Sequence, residues 1–259
     1  MLLKFLMGRF MKTALITGAA RGIGLATAQG LTAEGWQVAL LDRDSAELAQ
    51  AAKQLPQALV ADGDVSKPED VARAVSEVTA RFGRLDGLVN NAGVADFGPI
   101  RETTFERWRR VMETNLDGPF LMTQAFSDLL SAEGGGAVVN ITSISGLRAS
   151  TLRVAYGTSK AALAQLTLQQ AVELGELGIR VNAVAPGPVA TKLAMAVHSP
   201  EIIAAYHDAL PLNRYGKEAE IAAAIIFLLS DKASFVTGQI LAADGGFEAT
   251  GIGLPALRE

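Results

Sequence analysis

The sequence predicts one doubly wound α/β fold, a seven-stranded parallel sheet with helices on both faces. Three observations predict it. Short runs rich in apolar and β-branched residues alternate with longer segments whose apolar residues recur at helical spacing. The short runs are apolar almost throughout, rather than at every second position, as strands covered on both faces must be. The first of them ends in a glycine-rich turn, TGAARGIG at 17–24, that opens a helix. With 259 residues, 49% hydrophobic and 19% charged, the chain can bury a large core and is too apolar for disorder.

The elements follow in order. TALITG (13–18) is the first strand, and 22–35 a helix closed by Gly35. QVALLD (37–42) is the second strand and 45–55 the second helix. A third strand covers 58–65, followed by a helix over 67–83 with Pro68 in its first turn. LDGLVNNAG (85–93) is the fourth strand. One long helical stretch fills 104–132. The fifth strand spans 136–143, and 153–178 is a helix. IRVNAVAPG (179–187) is the sixth strand, 218–231 a helix, and 238–246 the seventh strand. No linker or repeat interrupts residues 11–259, which read as a single domain.

Composition removes several functions. The net charge is −4 with no basic stripe, which argues against nucleic acid as a partner. There are no cysteines, so no disulfide framework, zinc knuckle or thiol nucleophile, consistent with the cytoplasm. Only His198 and His207 are available for a histidine-rich metal site, and no metal is expected. No apolar run reaches the length of about 18 residues that a membrane span needs. Residues 1–10, MLLKFLMGRF, lack a signal-peptide cleavage pattern and read as a loosely ordered extension before MKTALITG.

The turn after the first strand carries Gly18, Gly22 and Gly24. Glycine there permits a tight turn, close approach of backbone to a pyrophosphate, and tight helix–sheet packing, while the helix N-terminus offers N–H groups to phosphate. Asp42 ends the second strand, about 20 residues on, where a carboxylate accepts hydrogen bonds from both adenosine ribose hydroxyls. A 2′-phosphate would meet a like charge, so Asp42 favours NAD over NADP. Arg21 and Arg43 are the cations able to oppose that preference, and Arg43 reads as a solvated loop residue.

AYGTSKAAL (155–163) places Tyr156 and Lys160 four apart, hence on one helix face. A free tyrosine, with a pKa near 10, is a poor base at neutral pH, and a nearby ammonium favours the phenolate. So tuned, it can exchange a proton with an oxygen whose carbon exchanges hydride. Ser143 ends the fifth strand, at the carboxyl edge where open α/β sheets bind ligands. Strand alternation turns Thr142 the other way, and Ser145 lies further into the loop.

With these residues in place, the sequence resembles a short-chain dehydrogenase/reductase from residue 11 to about 247. TGAARGIG, NNAG (90–93), Ser143, YGTSK and PGPVAT (186–191) occur together and in order. The resemblance implies a Rossmann-like fold and hydride transfer between NAD(H) and a secondary alcohol or ketone. It implies Tyr156 as general acid/base, Lys160 lowering its pKa and bonding the nicotinamide ribose, and Ser143 positioning the substrate oxygen. Asn115 resembles the helix asparagine that anchors a proton-relaying water. Asp64 and Val65 would edge the adenine, Ile23 and Arg21 line the glycine turn, and Asn91, Ala92 and Gly93 lie over the cofactor. Pro186, Gly187, Val189 and Thr191 would form the nicotinamide side, with Val189 and Thr191 at the carboxamide.

The resemblance also implies a substrate lid over about 192–216 and a homotetramer, with the helices at 104–132 and 153–178 at one interface. The tail from 248 onward is a candidate to reach a neighbouring subunit. Val94, Phe97, Leu147, Arg148, Arg153 and Val154 are candidates to shape the substrate pocket, with Arg148 or Arg153 able to bind an acidic substrate. The alternatives are an NADP-dependent 3-oxoacyl thioester reductase, which Asp42 opposes, and a non-catalytic nucleotide-binding scaffold.

Overall fold

In a computed structural model, residues 11–250 are described; the predicted extension at 1–10 and the tail residues 251–259 lie outside them. The described residues form one seven-stranded sheet. Its strands are β1 (Thr13–Thr17), β2 (Gln37–Asp42), β3 (Leu59–Asp62), β4 (Gly87–Asn90), β5 (Ala137–Ile141), β6 (Arg180–Pro186) and β7 (Ile240–Ala243). They run in the order β3-β2-β1-β4-β5-β6-β7, and every pairing is parallel. The chain winds outward from β1 through β2 to β3, then returns to the other side of β1 at β4. The crevice beyond the carboxyl ends of β1 and β4 is therefore the topological switch point where doubly wound sheets bind ligands.

Strand alternation divides the core in two. Ile16, Leu40, Val89, Val139 and Val184 face one side, under α1 (Gly22–Ala33) and a later helix, Glu218–Leu229. Leu15, Leu41, Leu88, Val138 and Val181 face the other, under the helices Pro68–Phe82, Gly118–Ser131 and Val154–Leu174. Burying each such large apolar side chain stabilises the fold by about 1.5–3 kcal/mol.

The remaining helices are α2 (Ser45–Gln54), α3 (Pro68–Phe82), α4 (Phe105–Met112), α5 (Gly118–Ser131), α6 (Ile144–Leu147), α7 (Val154–Leu174), α8 (Lys192–Val197), α9 (Pro200–Ala209) and α10, the Glu218–Leu229 helix named above. Their ends carry the expected signals. Pro68 opens α3, and Gly83 closes it at φ 67°. The Asp44 and Thr104 side chains cap α2 and α4.

Two expectations need correction. The strands are shorter than the apolar runs: β3 ends at Asp62 and β4 at Asn90, so Asp64, Val65, Asn91, Ala92 and Gly93 stand in loops beyond the sheet edge. The apolar run continues because these loops turn inward against the helices. The stretch 104–132 is not one α-helix. A π turn, Glu113–Asp117, separates α4 from α5, with the Gly118 N–H bonded to the Glu113 carbonyl. Pro119 has no N–H to close the α-helical bond to the Asn115 carbonyl, which accounts for the wider turn. Within the segment 192–216, read as a lid, the chain forms α8 and α9.

Candidate active site

The loops at the carboxyl ends of β1, β2, β3 and β4 enclose a cavity of about 330 Å³. It is lined by Gly18, Arg21, Gly22, Ile23, Asp42, Asp64, Val65, Asn91, Ala92, Gly93 and Thr191, all picked out from the sequence. Leu41, Gly63, Thr114, Lys192 and Glu218 also line it and were not anticipated. They stand at the ends of elements or beside them, Leu41 in β2, Thr114 in the π turn, and Lys192 and Glu218 opening α8 and α10, and carry no chemical signature that sequence alone flags.

The glycines are required by geometry. Gly18 and Gly22 adopt φ 61° and 60°, in the left-handed region. A Cβ on Gly24 would lie 2.2 Å from the Gly18 carbonyl oxygen and 2.6 Å from Asn91 Nδ2. The N-terminus of α1 can thus press against the β1 and β4 loops and present its unpaired first-turn N–H groups to the cavity. Asn91 staples the two loops, donating from Nδ2 to the carbonyls of Thr17 (2.9 Å) and Gly18 (3.0 Å). The Thr17 hydroxyl accepts from the N–H groups of Asn91 and Ala92, a role the sequence did not reveal.

Asp42 sits half-buried at one end. One carboxylate oxygen accepts from the Ala20 N–H (3.0 Å) and the other from the Asp44 N–H (3.0 Å). A carboxylate offers about four acceptor positions, so both oxygens retain capacity for a diol. The two arginines nearby are paired with acids. Arg21 contacts Asp44 at 2.8 Å, and Arg43 contacts Asp64 at 3.4 Å. Arg43 is therefore not the plain solvated residue expected: it lines the cavity and spans to Asp64. Desolvation works to raise the Asp64 pKa, but hydrogen bonds from Ser66 and Arg43 outweigh it and hold the carboxyl below its ordinary value.

This set fits a dinucleotide. It combines a glycine cradle that a Cβ would fill, a helix N-terminus for the pyrophosphate, and a carboxylate with free acceptor positions for ribose hydroxyls. Gly24 shapes the cradle from behind. Gly187, placed at the nicotinamide side by sequence, is required for a different close approach: its Cβ would lie 2.6 Å from the Asp244 backbone. Pro186 ends β6, and Val189 turns its buried side chain into the core, forming a parallel bridge with Gly216. Thr191 caps α8 at the cavity edge, accepting from the Ala194 N–H at 3.1 Å.

Next to this cavity, α7 brings Tyr156 and Lys160 to the end of β5. Close packing holds them there. A Cβ on Gly146 in α6 would sit 2.7 Å from the Lys160 carbonyl carbon, so the Ser143 turn lies directly against α7. Ser143 is buried and accepts from the Ser145 N–H at 3.1 Å, and its side chain acts on the Tyr156 phenol in the direction that lowers the phenol's pKa. Thr142 does turn away, and its hydroxyl donates to the Val184 carbonyl. The Lys160 ammonium donates to the Ile141 carbonyl at 2.6 Å and lies 5.9 Å from the Tyr156 ring centre.

Asn115 sits in the π turn, fully buried. Its Oδ1 accepts from the Val94 N–H (2.8 Å), and its Nδ2 donates to the Val94 carbonyl and the Ser159 hydroxyl. Both Asn115 Oδ1 and Lys160 Nζ approach Gly93, so the asparagine joins the tyrosine–lysine helix to the loop over the cavity.

The electrostatics depart from expectation. Desolvation raises the Tyr156 phenol above its ordinary value, opposed by the Ser143 hydrogen bond and the Arg153 charge. Lys160 is not what sets the phenol's value here. Burial pulls the lysine itself down to about 8. Sequence spacing shows that the two groups share a face, but the cost of burying each depends on the packed surroundings.

That depression makes stability depend on pH. Below about 8 both folded and unfolded chains hold the lysine proton, and the full cost of the buried charge is present. Between about 8 and the ordinary 10.5 only the unfolded chain holds it, so stability rises with pH. Urea unfolding at stepped pH should show wild type gaining on Lys160→Met across that window. A difference that stays flat there would refute the buried cationic lysine.

Comparison with known proteins identifies the family. A family model described as enoyl-(acyl carrier protein) reductase matches residues 18–248. The chain is 41% identical over 239 residues to galactitol 2-dehydrogenase (L-tagatose-forming) of Cereibacter sphaeroides, covering 90% of this chain and 94% of that protein. A short-chain type dehydrogenase/reductase from Mycobacterium ulcerans superposes with a TM-score of 0.89 at 36% identity, covering 93% of this chain and 91% of that one. A gluconate 5-dehydrogenase from Burkholderia cenocepacia, in complex with NADP and tartrate, gives 0.89 at 34% identity over 94% and 98% of the two chains. The switch-point cavity, the glycine cradle and these matches along nearly the whole chain agree: the chain belongs to the short-chain dehydrogenase/reductase family of nicotinamide-dependent oxidoreductases acting on CH–OH groups.

Proposed function

We propose that the protein moves a hydride between NAD(H) and a secondary alcohol or its ketone, with Tyr156 as general acid/base. The observation that supports this most is the convergence of Ser143, Tyr156 and Lys160 beside a dinucleotide-shaped cavity. When bound, the nicotinamide supplies or accepts the hydride. Ser143 holds the substrate oxygen against the Tyr156 hydroxyl. Tyr156 gives that oxygen a proton in reduction and removes one in oxidation. Lys160 bonds the nicotinamide ribose and replenishes the proton, and Asn115 fixes the loop and the lysine relative to each other. Gly18, Arg21, Gly22, Ile23 and Gly24 hold the pyrophosphate. Asp64 and Val65 edge the adenine, Asn91, Ala92 and Gly93 lie over the cofactor, and Pro186, Gly187, Val189 and Thr191 flank the nicotinamide.

Asp42 is the basis for NAD over NADP. A 2′-phosphate beside it meets a like charge, and the charges of Arg21 and Arg43 are already balanced by Asp44 and Asp64. Hydrogen bonds to a charged group contribute about 1.5–3 kcal/mol each. Titration by fluorescence should show NADH binding more tightly than NADPH, and Asp42→Ser should weaken NADH about tenfold or more while leaving NADPH no weaker. Tighter NADPH binding by the wild type would reverse the assignment.

The chain acts in the cytoplasm as a single domain with α8 and α9 as the substrate lid, and it assembles as a homotetramer. Phe120 on α5 and Leu168 and Val172 on α7 support assembly, being apolar and 37–76% exposed on the two helices proposed to meet a partner. A monomer mass by light scattering would remove the tetramer.

A further inference from the structure

We propose that Arg153 is a specificity residue that binds an anionic group of the substrate, so that the preferred alcohols carry a carboxylate or a similar oxyanion a few bonds from the reacting carbon. This rests on the site assignment above. Arg153 precedes Tyr156 by one helical turn, at the mouth of α7. Its guanidinium lies 4.7 Å from the centre of the Phe97 ring and 6.0 Å from that of Tyr156.

The position is held by backbone on both sides. Gly98 and Arg153 form a parallel bridge, and the Gly98 N–H donates to the Leu152 carbonyl at 3.0 Å. Leu152 adopts φ 60°, a conformation a branched apolar side chain rarely takes, and that turn directs the next residue toward the tyrosine.

No carboxylate among the described residues pairs with Arg153. Acids in nearby segments are already committed. Asp96, next to Phe97 in the chain, pairs with Arg107 and with Arg110, and Glu248 pairs with Arg148. Arg148, the other candidate from the sequence, is thereby satisfied, and Arg153 is left with aromatic faces alone. Its charge also acts across to the lid: together with burial it lowers the pKa of His198, whose Nδ1 lies 2.9 Å from the Tyr215 hydroxyl. A cation facing both the proton-transfer residue and the lid has two donor edges free for a bidentate oxyanion in the space between them.

The test uses the full-length enzyme, wild type, Arg153→Met and Arg153→Lys, each first titrated with NADH. The probes are 3-hydroxybutyrate and 4-hydroxycyclohexanecarboxylate, each beside its neutral carboxamide. For the wild type, kcat/KM with the carboxylate should exceed that with the carboxamide by about ten- to hundredfold. Arg153→Met should bring that ratio near one, chiefly through KM, and Arg153→Lys should restore part of it. In the NADH complex, the carboxylates should also bind the wild type more tightly than Arg153→Met. A ratio unchanged by Arg153→Met, or carboxylates that gain neither turnover nor affinity in NADH-loaded wild type, would overturn the proposal and leave Arg153 as a stacking partner of Phe97. Failure of NADH itself to bind would instead bring down the site assignment, and this inference with it.

Discussion

Tyr156→Phe is expected to lower kcat by about 10²–10⁴-fold, the range that a positioned general acid or base contributes. The substitution removes one hydroxyl and keeps the ring on α7, so the fold and the cavity walls are unaffected. NADH affinity should stay within a few-fold of wild type, because the glycine cradle and Asp42 are untouched. The phenol's surroundings sharpen this expectation. Desolvation holds it protonated in the free protein, and the Ser143 hydrogen bond and the Arg153 charge pull the other way. Oxidation, which needs the deprotonated form, should therefore accelerate with rising pH. Reduction, which needs the proton, should slow. If Tyr156→Phe turned over at more than a tenth of the wild-type rate, another group would be carrying the proton.

Gly24→Ala should damage both stability and cofactor binding. The added carbon would meet backbone, the Gly18 carbonyl oxygen at 2.2 Å, and backbone at a strand end cannot swing aside as a flexible side chain does. Overpacking of this kind costs about 1–3 kcal/mol. For a chain of this size each kcal/mol lowers the midpoint of thermal unfolding by about 2–4 °C. The displaced α1 N-terminus should also weaken NADH about tenfold or more. Gly175→Ala is the matched control. Gly175 has helical dihedrals, and nothing lies within 4 Å of its Cβ position. Differential scanning calorimetry on both variants decides it: equal midpoints would mean the cradle is not close-packed.

Much of this was legible in the sequence because it rests on short-range chemistry. Glycines that must adopt positive φ, an acid at a strand end, and two residues one helical turn apart are fixed by local geometry, and Gly18, Gly22, Asp42, Tyr156 and Lys160 stand where spacing placed them. Other features needed the fold. Thr17 is an ordinary strand residue until β4 brings Asn91 and Ala92 to its hydroxyl. Pro119 explains the π turn once the turn is seen, but that the turn sets Asn115 against Val94 and Ser159 emerges only when the β4 loop and α7 are packed around it. The direction of the Tyr156 shift follows from burial, which no spacing reports. Sequence offers Arg148 and Arg153 alike as cations for an acidic substrate, and only the fold separates them: Arg148 pairs with Glu248, whereas Leu152 and Gly98 turn Arg153 over Phe97.

The central claim is that a hydride passes between a nicotinamide held at the switch point and a carbon held by Ser143 and Tyr156. Nicotinamide-deuterated NADH, incubated with the wild-type protein and a panel of ketones including keto acids, tests it most directly by mass spectrometry of the products. The account predicts an alcohol carrying the deuterium on its carbinol carbon. NADH that binds but leaves every product unlabelled would contradict it and place the protein among nucleotide-binding scaffolds.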